Sequence, residues 1–161
     1  MKNRSIIVIS LIFFILGLLS CGHKNSTSNT RCIEFMEIPI EGNVKTFGEK
    51  LEGKGYCCNG DDTLSRQIGY DGTYLNKPVQ IILYYNEETR DINIVRTWFR
   101  GNMPNVASLL NEYTEKYGKC DIKADYGDVF YTWKVEGGYI GIATDNSSFL
   151  AIDYSNKELN Y

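Results

Sequence analysis

Apolar and polar positions divide this 161-residue chain into three unequal parts. From Ile6 to Leu19 nearly every position is apolar, interrupted only by Ser10 and Gly17. Residues 22–31 then contain no apolar side chain to bury, which predicts an unstructured tether. Beyond residue 32 the pattern becomes periodic. Val44, Phe47 and Leu51 recur at helical spacing behind Asn43, a residue suited to accept from the next amides, and Gly53 and Gly55 close that helix. Strands are predicted over Arg66–Tyr74, Val79–Tyr85 and Ile92–Phe99, the last two joined by the polar hairpin segment Asn86–Asp91. A second helix begins near Pro104, with the stripe Val106, Leu109, Leu110, Tyr113 and Tyr117, and ends at Gly118. Three more strands follow, Val129–Val135, Tyr139–Thr144 and Phe149–Tyr154, with Gly137-Gly138 as the hairpin turn between the first two.

The order helix, strands, helix, strands reads as a repeat. A shift of 62 positions carries Val44 onto Val106, Phe47 onto Leu109, Leu51 onto Tyr113, Lys54 onto Lys116 and Cys58 onto Cys120. The expected fold is therefore α+β: two α-β-β-β halves, about 32–100 and 101–161, with both helices packed on one face of an antiparallel sheet.

The apolar run at the start has the marks of an export signal. Lys2 and Arg4 precede it with no acidic residue, and it closes on Leu18-Leu19-Ser20-Cys21. About 14 residues rise only about 21 Å as a helix, short of a hydrocarbon core of about 30 Å. The closing tetrad resembles the bacterial lipobox. That resemblance implies a diacylglyceryl group on the Cys21 thiol and cleavage before it, so that residues 1–20 are a signal peptide and 21–31 a lipid-anchored tether. Two or three acyl chains hold a protein firmly where one is marginal. Acidic residues just after the lipidated cysteine resemble the surface-export signal of Bacteroidetes lipoproteins. Their absence here points to a periplasm-facing outer-membrane anchor rather than the cell surface.

Charge narrows the partners. The chain has 17 basic and 20 acidic residues; loss of Lys2 and Arg4 with the signal leaves 15 basic residues and a net charge of −5. A nucleic-acid binder carries a basic patch and a high pI, so nucleic acid is excluded. A polybasic contact to anionic lipid is excluded on the same ground. Twelve Tyr, seven Phe and two Trp against three Pro describe a packed domain over residues 32–161. Cys32, Cys57, Cys58 and Cys120 remain beside Cys21. In an oxidising compartment four cysteines allow three disulfide pairings. Adjacent Cys57 and Cys58 bond each other only through a strained ring, so pairing each with Cys32 or Cys120 is preferred, with free thiols as the alternative. Zinc is disfavoured by the spacing and by the lone histidine, His23, which lies in the tether.

The sequence contains no nucleophile elbow, zincin motif or phosphate-binding loop. With no His in the domain, Ser-His and Cys-His pairs are excluded. Asp61-Asp62 and Glu87-Glu88 fall in predicted turns, where carboxylates face water. No catalytic residue, metal or cofactor is assigned. Asp62-Thr63-Leu64 resembles the acceptor pattern of Bacteroidetes O-glycosylation, which makes Thr63 a candidate modification site. Tyr84, Trp98, Tyr131 and Trp133 lie on predicted strands and are the candidate binding surface, since Tyr and Trp anchor protein interfaces.

Ile38-Pro39-Ile40-Glu41-Gly42, Phe47 with Lys50-Leu51, Gly53-Lys54-Gly55-Tyr56, and Leu109 through Lys119 together resemble small lipoproteins of gut Bacteroidetes, over most of residues 34–155. The halves resemble the repeat of β-lactamase inhibitor protein and of the small lipoprotein in the outer-membrane barrel assembly machinery. That resemblance implies a sheet whose open face or edge meets another protein, and it supplies no catalytic residues. The expected function is a lipid-anchored, non-enzymatic protein-binding or scaffold module of the cell envelope with an envelope protein as partner. The rival is a glycan or small-ligand binding lipoprotein. A broad exposed aromatic face separates the first from the enclosed pocket of the second.

Overall fold

In the computed structural model, which describes residues 32–145 and 147–161, the chain opens with a small hairpin, β1 (Glu34–Phe35) against β2 (Ile38–Pro39). Helix α1 (Val44–Gly53) follows, then β3 (Cys57–Asp62), β4 (Gln67–Tyr74), β5 (Lys77–Tyr85) and β6 (Ile92–Arg100). Helix α2 (Val106–Tyr117) precedes β7 (Asp121–Asp125), β8 (Asp128–Val135), β9 (Gly138–Thr144) and β10 (Phe149–Ser155). The last eight strands form one antiparallel sheet in the order β3-β4-β5-β6-β10-β9-β8-β7. An antiparallel sheet with two short helices is an α+β fold.

Each helix starts where its cap dictates. The Asn43 side chain accepts from the Lys45 amide at 3.0 Å, and that of Asn105 accepts from the Ser108 amide at 2.9 Å. The second helix thus begins after Asn105, and Pro104 stands before the cap rather than in the first turn. At the far end the chain leaves α2 through Gly118, whose φ of 83° is costly for any residue with a Cβ.

Four strands follow each helix, one more than the pattern predicts. The additional ones, β3 and β7, are the sheet's two edges, and every residue of both is exposed. With neither face covered, neither strand needs the alternation by which strands are recognised. The β8–β9 turn is also displaced by one residue. Gly138 already pairs with Val135, so the loop is Glu136-Gly137. Gly138 is a glycine for a different reason: a Cβ there would lie 2.1 Å from the Ser155 carbonyl oxygen.

Register fixes the two faces. Thr97 lies opposite Ile81 and Ile152, and Ile152 opposite Ile142. This face collects Tyr70, Ile81, Leu83, Val95, Phe99, Ile142, Leu150, Ile152 and Trp133, all buried. Val44, Phe47 and Leu51 of α1 and Leu109 and Tyr113 of α2 belong to the same core, as does Phe35 of the hairpin. Gly48 admits α1 to Tyr70, for a Cβ there would lie 2.0 Å from the Tyr70 hydroxyl. The Tyr113 and Trp133 rings are 5.6 Å apart, and the Trp133 Nε1–H donates to the Gly118 carbonyl at 3.0 Å.

Three phenols meet in this core. The Tyr154 hydroxyl shares hydrogen bonds with Tyr113 at 2.6 Å and Tyr74 at 2.8 Å. Burial raises all three above the ordinary phenol value and pushes Tyr70 up to about 12. The folded state therefore holds these protons more tightly than the unfolded chain, whose phenols titrate near pH 10. Their contribution to stability is complete below about pH 10 and is lost as pH rises through the folded values. Urea midpoints should fall steadily above about pH 10, and tyrosinate absorbance should appear in two stages, the second coinciding with unfolding. A single absorbance stage with a constant midpoint would contradict this assignment.

Candidate functional site

The residues alternating with the core set form the opposite face. Trp98 lies opposite Gln80 and Ala151, and Tyr84 opposite Gln67 and Ile94. Tyr84, Ile94, Arg96 and Trp98 are each half-buried, whereas Val95, Thr97 and Phe99 between them are fully buried. The four aromatic residues named as candidates for a binding surface thus divide. Tyr84 and Trp98 share the open face. Tyr131 and Trp133 point the other way, Tyr131 packed against the core and Trp133 at 1% exposure within it. Strand alternation is responsible: Tyr131 and Trp133 are paired with Ile142 and Ile140, which belong to the buried core.

Guanidinium groups lie on both open-face aromatics. Arg96 is 5.6 Å from the Tyr84 ring centre and Arg100 is 4.9 Å from that of Trp98, within cation–π range. Trp98 also approaches Phe149, with ring centres 6.3 Å apart. Its indole Nε1 is buried without a hydrogen-bond partner, which costs about 1–3 kcal/mol unless an acceptor reaches it.

At the middle of the face Arg96 grips Asp153. Nε donates to Oδ1 and Nη2 to Oδ2, both at 2.8 Å. The Asp153 side chain is 1% exposed, and the carboxylate holds the Arg96 guanidinium above its ordinary value. Oδ2 accepts a further bond from the Tyr161 hydroxyl at 2.7 Å. Tyr161 stacks on Phe130 with ring centres 4.6 Å apart, and Lys123 Nζ donates to the Tyr161 carbonyl. Burial, and then the Asp153 charge, raise the Tyr161 phenol.

No family model, curated protein or solved structure matches this chain. Residue geometry therefore carries the functional reading. Among the described residues no three His, Cys, Asp or Glu side chains gather as a metal site, and no helix is long and apolar enough to cross a membrane. A cavity of about 820 Å³ lies between the β1–β2 hairpin, the end of α2 and the β8–β9 turn, with Glu34, Glu41, Lys116 and Lys134 in its walls. A smaller recess of about 300 Å³ on the open side is lined by Asn59, Asp61, Asp62, Gln67, Gln80 and Ile82.

Cys21 and the signal segment lie outside the described residues. Cys32, Cys57, Cys58 and Cys120 are free thiols, so the expected disulfides are not formed. The Cys32 thiol donates instead to Glu41 at 3.1 Å, which raises its pKa. Cys57 and Cys58 are neighbours on an exposed strand, where successive side chains leave on opposite sides. Thr63 is exposed in the β3–β4 turn, beside an Asp62 carboxylate that accepts from the Leu64 and Ser65 amides.

Arg96, Asp153, Phe130 and Tyr161 were not among the sequence candidates. A signal for two of them existed: each of the apolar strands Ile92–Phe99 and Phe149–Tyr154 carries one charge, and the two charges are opposite. Removing one partner of a buried pair is the expensive change. Asp153→Ala should lower stability by about 3–5 kcal/mol, and the double variant Asp153→Ala with Arg96→Met should recover much of that loss. Trp133→Ala should cost about 3–5 kcal/mol as a core truncation, and Trp98→Ala much less. Urea unfolding of the four variants checks both statements; equal losses for the two tryptophans would refute the division of faces.

Proposed function

We propose that this chain is a lipid-anchored, non-enzymatic protein-binding module of the bacterial cell envelope, tethered through Cys21 and facing the periplasm. Two related halves carry their helices on one face of the sheet and present the other to a partner. The connectivity supports relatedness: β3–β6 after α1 and β7–β10 after α2 run outward to inward in mirrored sheet order. So does the register. Core positions Ile68 and Tyr70 correspond to Val129 and Tyr131, Ile81 to Ile142, and Thr97 to Ile152. Thr97 pairs with its own counterpart, while Val95 and Phe99 pair with the counterparts of each other, as a two-fold axis between them requires. The placement of Gly48 against Tyr70 and of Tyr113 against Trp133, residues of one sheet face, supports helices on a single side.

One observation carries the binding reading. Tyr84 and Trp98, each under a guanidinium, form a half-exposed strip on a broad face. Tyr, Trp and Arg are the residue types that supply most of the energy of protein interfaces. A ligand site would enclose its occupant and converge polar groups on it. The small recess lined by Asn59, Gln67 and Gln80 has such polar groups, and it keeps a glycan as the second reading.

Cross-linking the tagged, lipidated protein in cells, followed by mass spectrometry of the envelope fraction, tests the proposal. One dominant protein partner is expected, with its yield reduced about tenfold or more by Trp98→Ala or Tyr84→Ala. Cys21→Ser should release the chain from membranes. Unchanged yield in both aromatic variants would reject this face, and a glycan-array signal lost in Gln80→Ala would move the assignment to the second reading.

A further inference from the structure

The open face is not equally open along its width. On β4–β6 its side chains other than Ile82 are half-exposed or exposed, but on β9 and β10 Gly141, Ala143, Ala151 and Asp153 are buried. Since these residues point away from the helices, something else covers them. Over Gly141 and Asp153 the cover is residues 158–161, while Phe130 of β8 and Trp98 of β6 stand beside Ala143 and Ala151. Ser155 and Asn156 fasten the turn: Ser155 Oγ donates to the Lys157 carbonyl at 2.6 Å, and Asn156 Nδ2 donates to the carbonyls of Ile40 at 2.9 Å and Ile92 at 3.1 Å. Beyond that clasp, residues 158–161 lie across β9. A Cβ on Gly141 would sit 2.1 Å from the Tyr161 hydroxyl and 2.8 Å from Leu159 Cδ1, so glycine here makes the seat.

We propose that residues 158–161 are a displaceable strap, and that the partner of the open face enters by an extended segment whose tyrosine takes the place of Tyr161. This rests on the protein-binding reading above and specifies the partner's chemistry. The seat already displays its preferences with an occupant of the same kind. Phe130 offers a ring to stack on, Gly141 the space for a second ring, Lys123 a donor for the backbone carbonyl, and Asp153 an acceptor for a phenol. A phenylalanine fills the same volume but leaves the buried carboxylate one donor short. Displacement is local. The clasp at Ser155 and Asn156 stays in place, and Arg96 keeps Asp153 paired when the phenol leaves. The strap is thus an occupant held at high effective concentration, and a partner reaches the whole face only by outcompeting it.

The test uses the detergent-solubilised full chain and a fluorescent peptide of sequence Lys-Glu-Leu-Asn-Tyr, copied from residues 157–161. Fluorescence polarisation should show saturable binding to the Tyr161→Ala variant and binding at least about tenfold weaker to the wild type, whose seat is filled. The Phe-ended peptide should bind about tenfold more weakly than the Tyr-ended one. Adding Gly141→Ala to the Tyr161→Ala variant should abolish binding. Equal affinity for wild type and variant, no binding by a folded variant, or binding that survives Gly141→Ala would each overturn the strap. So would unfolding of Tyr161→Ala, since the segment would then be an integral part of the fold. The outcome is independent of partner capture, which reads Tyr84 and Trp98 rather than this seat.

Discussion

The pairing of β6 with β10 is the constraint on which the molecule depends. It joins two four-stranded sets into one sheet and sets Val95, Thr97 and Phe99 against Tyr154, Ile152 and Leu150. All of these are buried, and each apolar one contributes about 1.5–3 kcal/mol by leaving water. Thr97 stands at the centre of that stretch, and its hydroxyl donates to the Ile152 carbonyl across the seam at 3.2 Å. A slip of one residue would exchange the faces, sending Trp98 and Arg96 into the core and Phe99 into solvent. The Arg96–Asp153 pair lies on the same seam and is satisfied only in the observed register.

That buried pair explains why the two sides of the sheet differ so much in character. The core side is apolar apart from its phenols and threonines, and Tyr74, Tyr113 and Tyr154 hydrogen-bond one another there. The open side tolerates a charge at its centre because the charge is doubly hydrogen-bonded and a third donor comes from Tyr161. Small residues beside it, Gly141, Ala143 and Ala151, leave room for larger groups lying over them. Over Gly141 the side-chain volume is supplied by Leu159 and Tyr161 rather than by the strand itself.

Much of this architecture was legible in the sequence. Both helices, with the stripes Val44–Phe47–Leu51 and Leu109–Tyr113, and six of the strands follow from periodicity, because their buried faces impose it. The edges β3 and β7 were not legible, since a strand exposed on both sides has no burial to record. The facing of Tyr84, Trp98, Tyr131 and Trp133 was equally hidden. Alternation says that neighbours diverge, but which half goes inward depends on register between strands distant in sequence. Tyr161 was invisible for a further reason: a residue beyond the last strand carries no periodic signal, and its seat is defined by a missing Cβ at Gly141.

The hairpin connectivity has a consequence for how the fold is reached. Every strand contact in the large sheet, apart from one, joins neighbours along the chain, separated by a turn of a few residues. Such contacts form on the microsecond scale. The exception spans from Arg100 to Phe149 and encloses the whole of α2 and β7–β9. Loop-closure entropy grows only logarithmically with the length enclosed, and the enclosed segment shortens its own span by folding first. The conformational search thus reduces to two local problems and a single long-range encounter, a low-contact-order route for a protein built around an eight-stranded sheet.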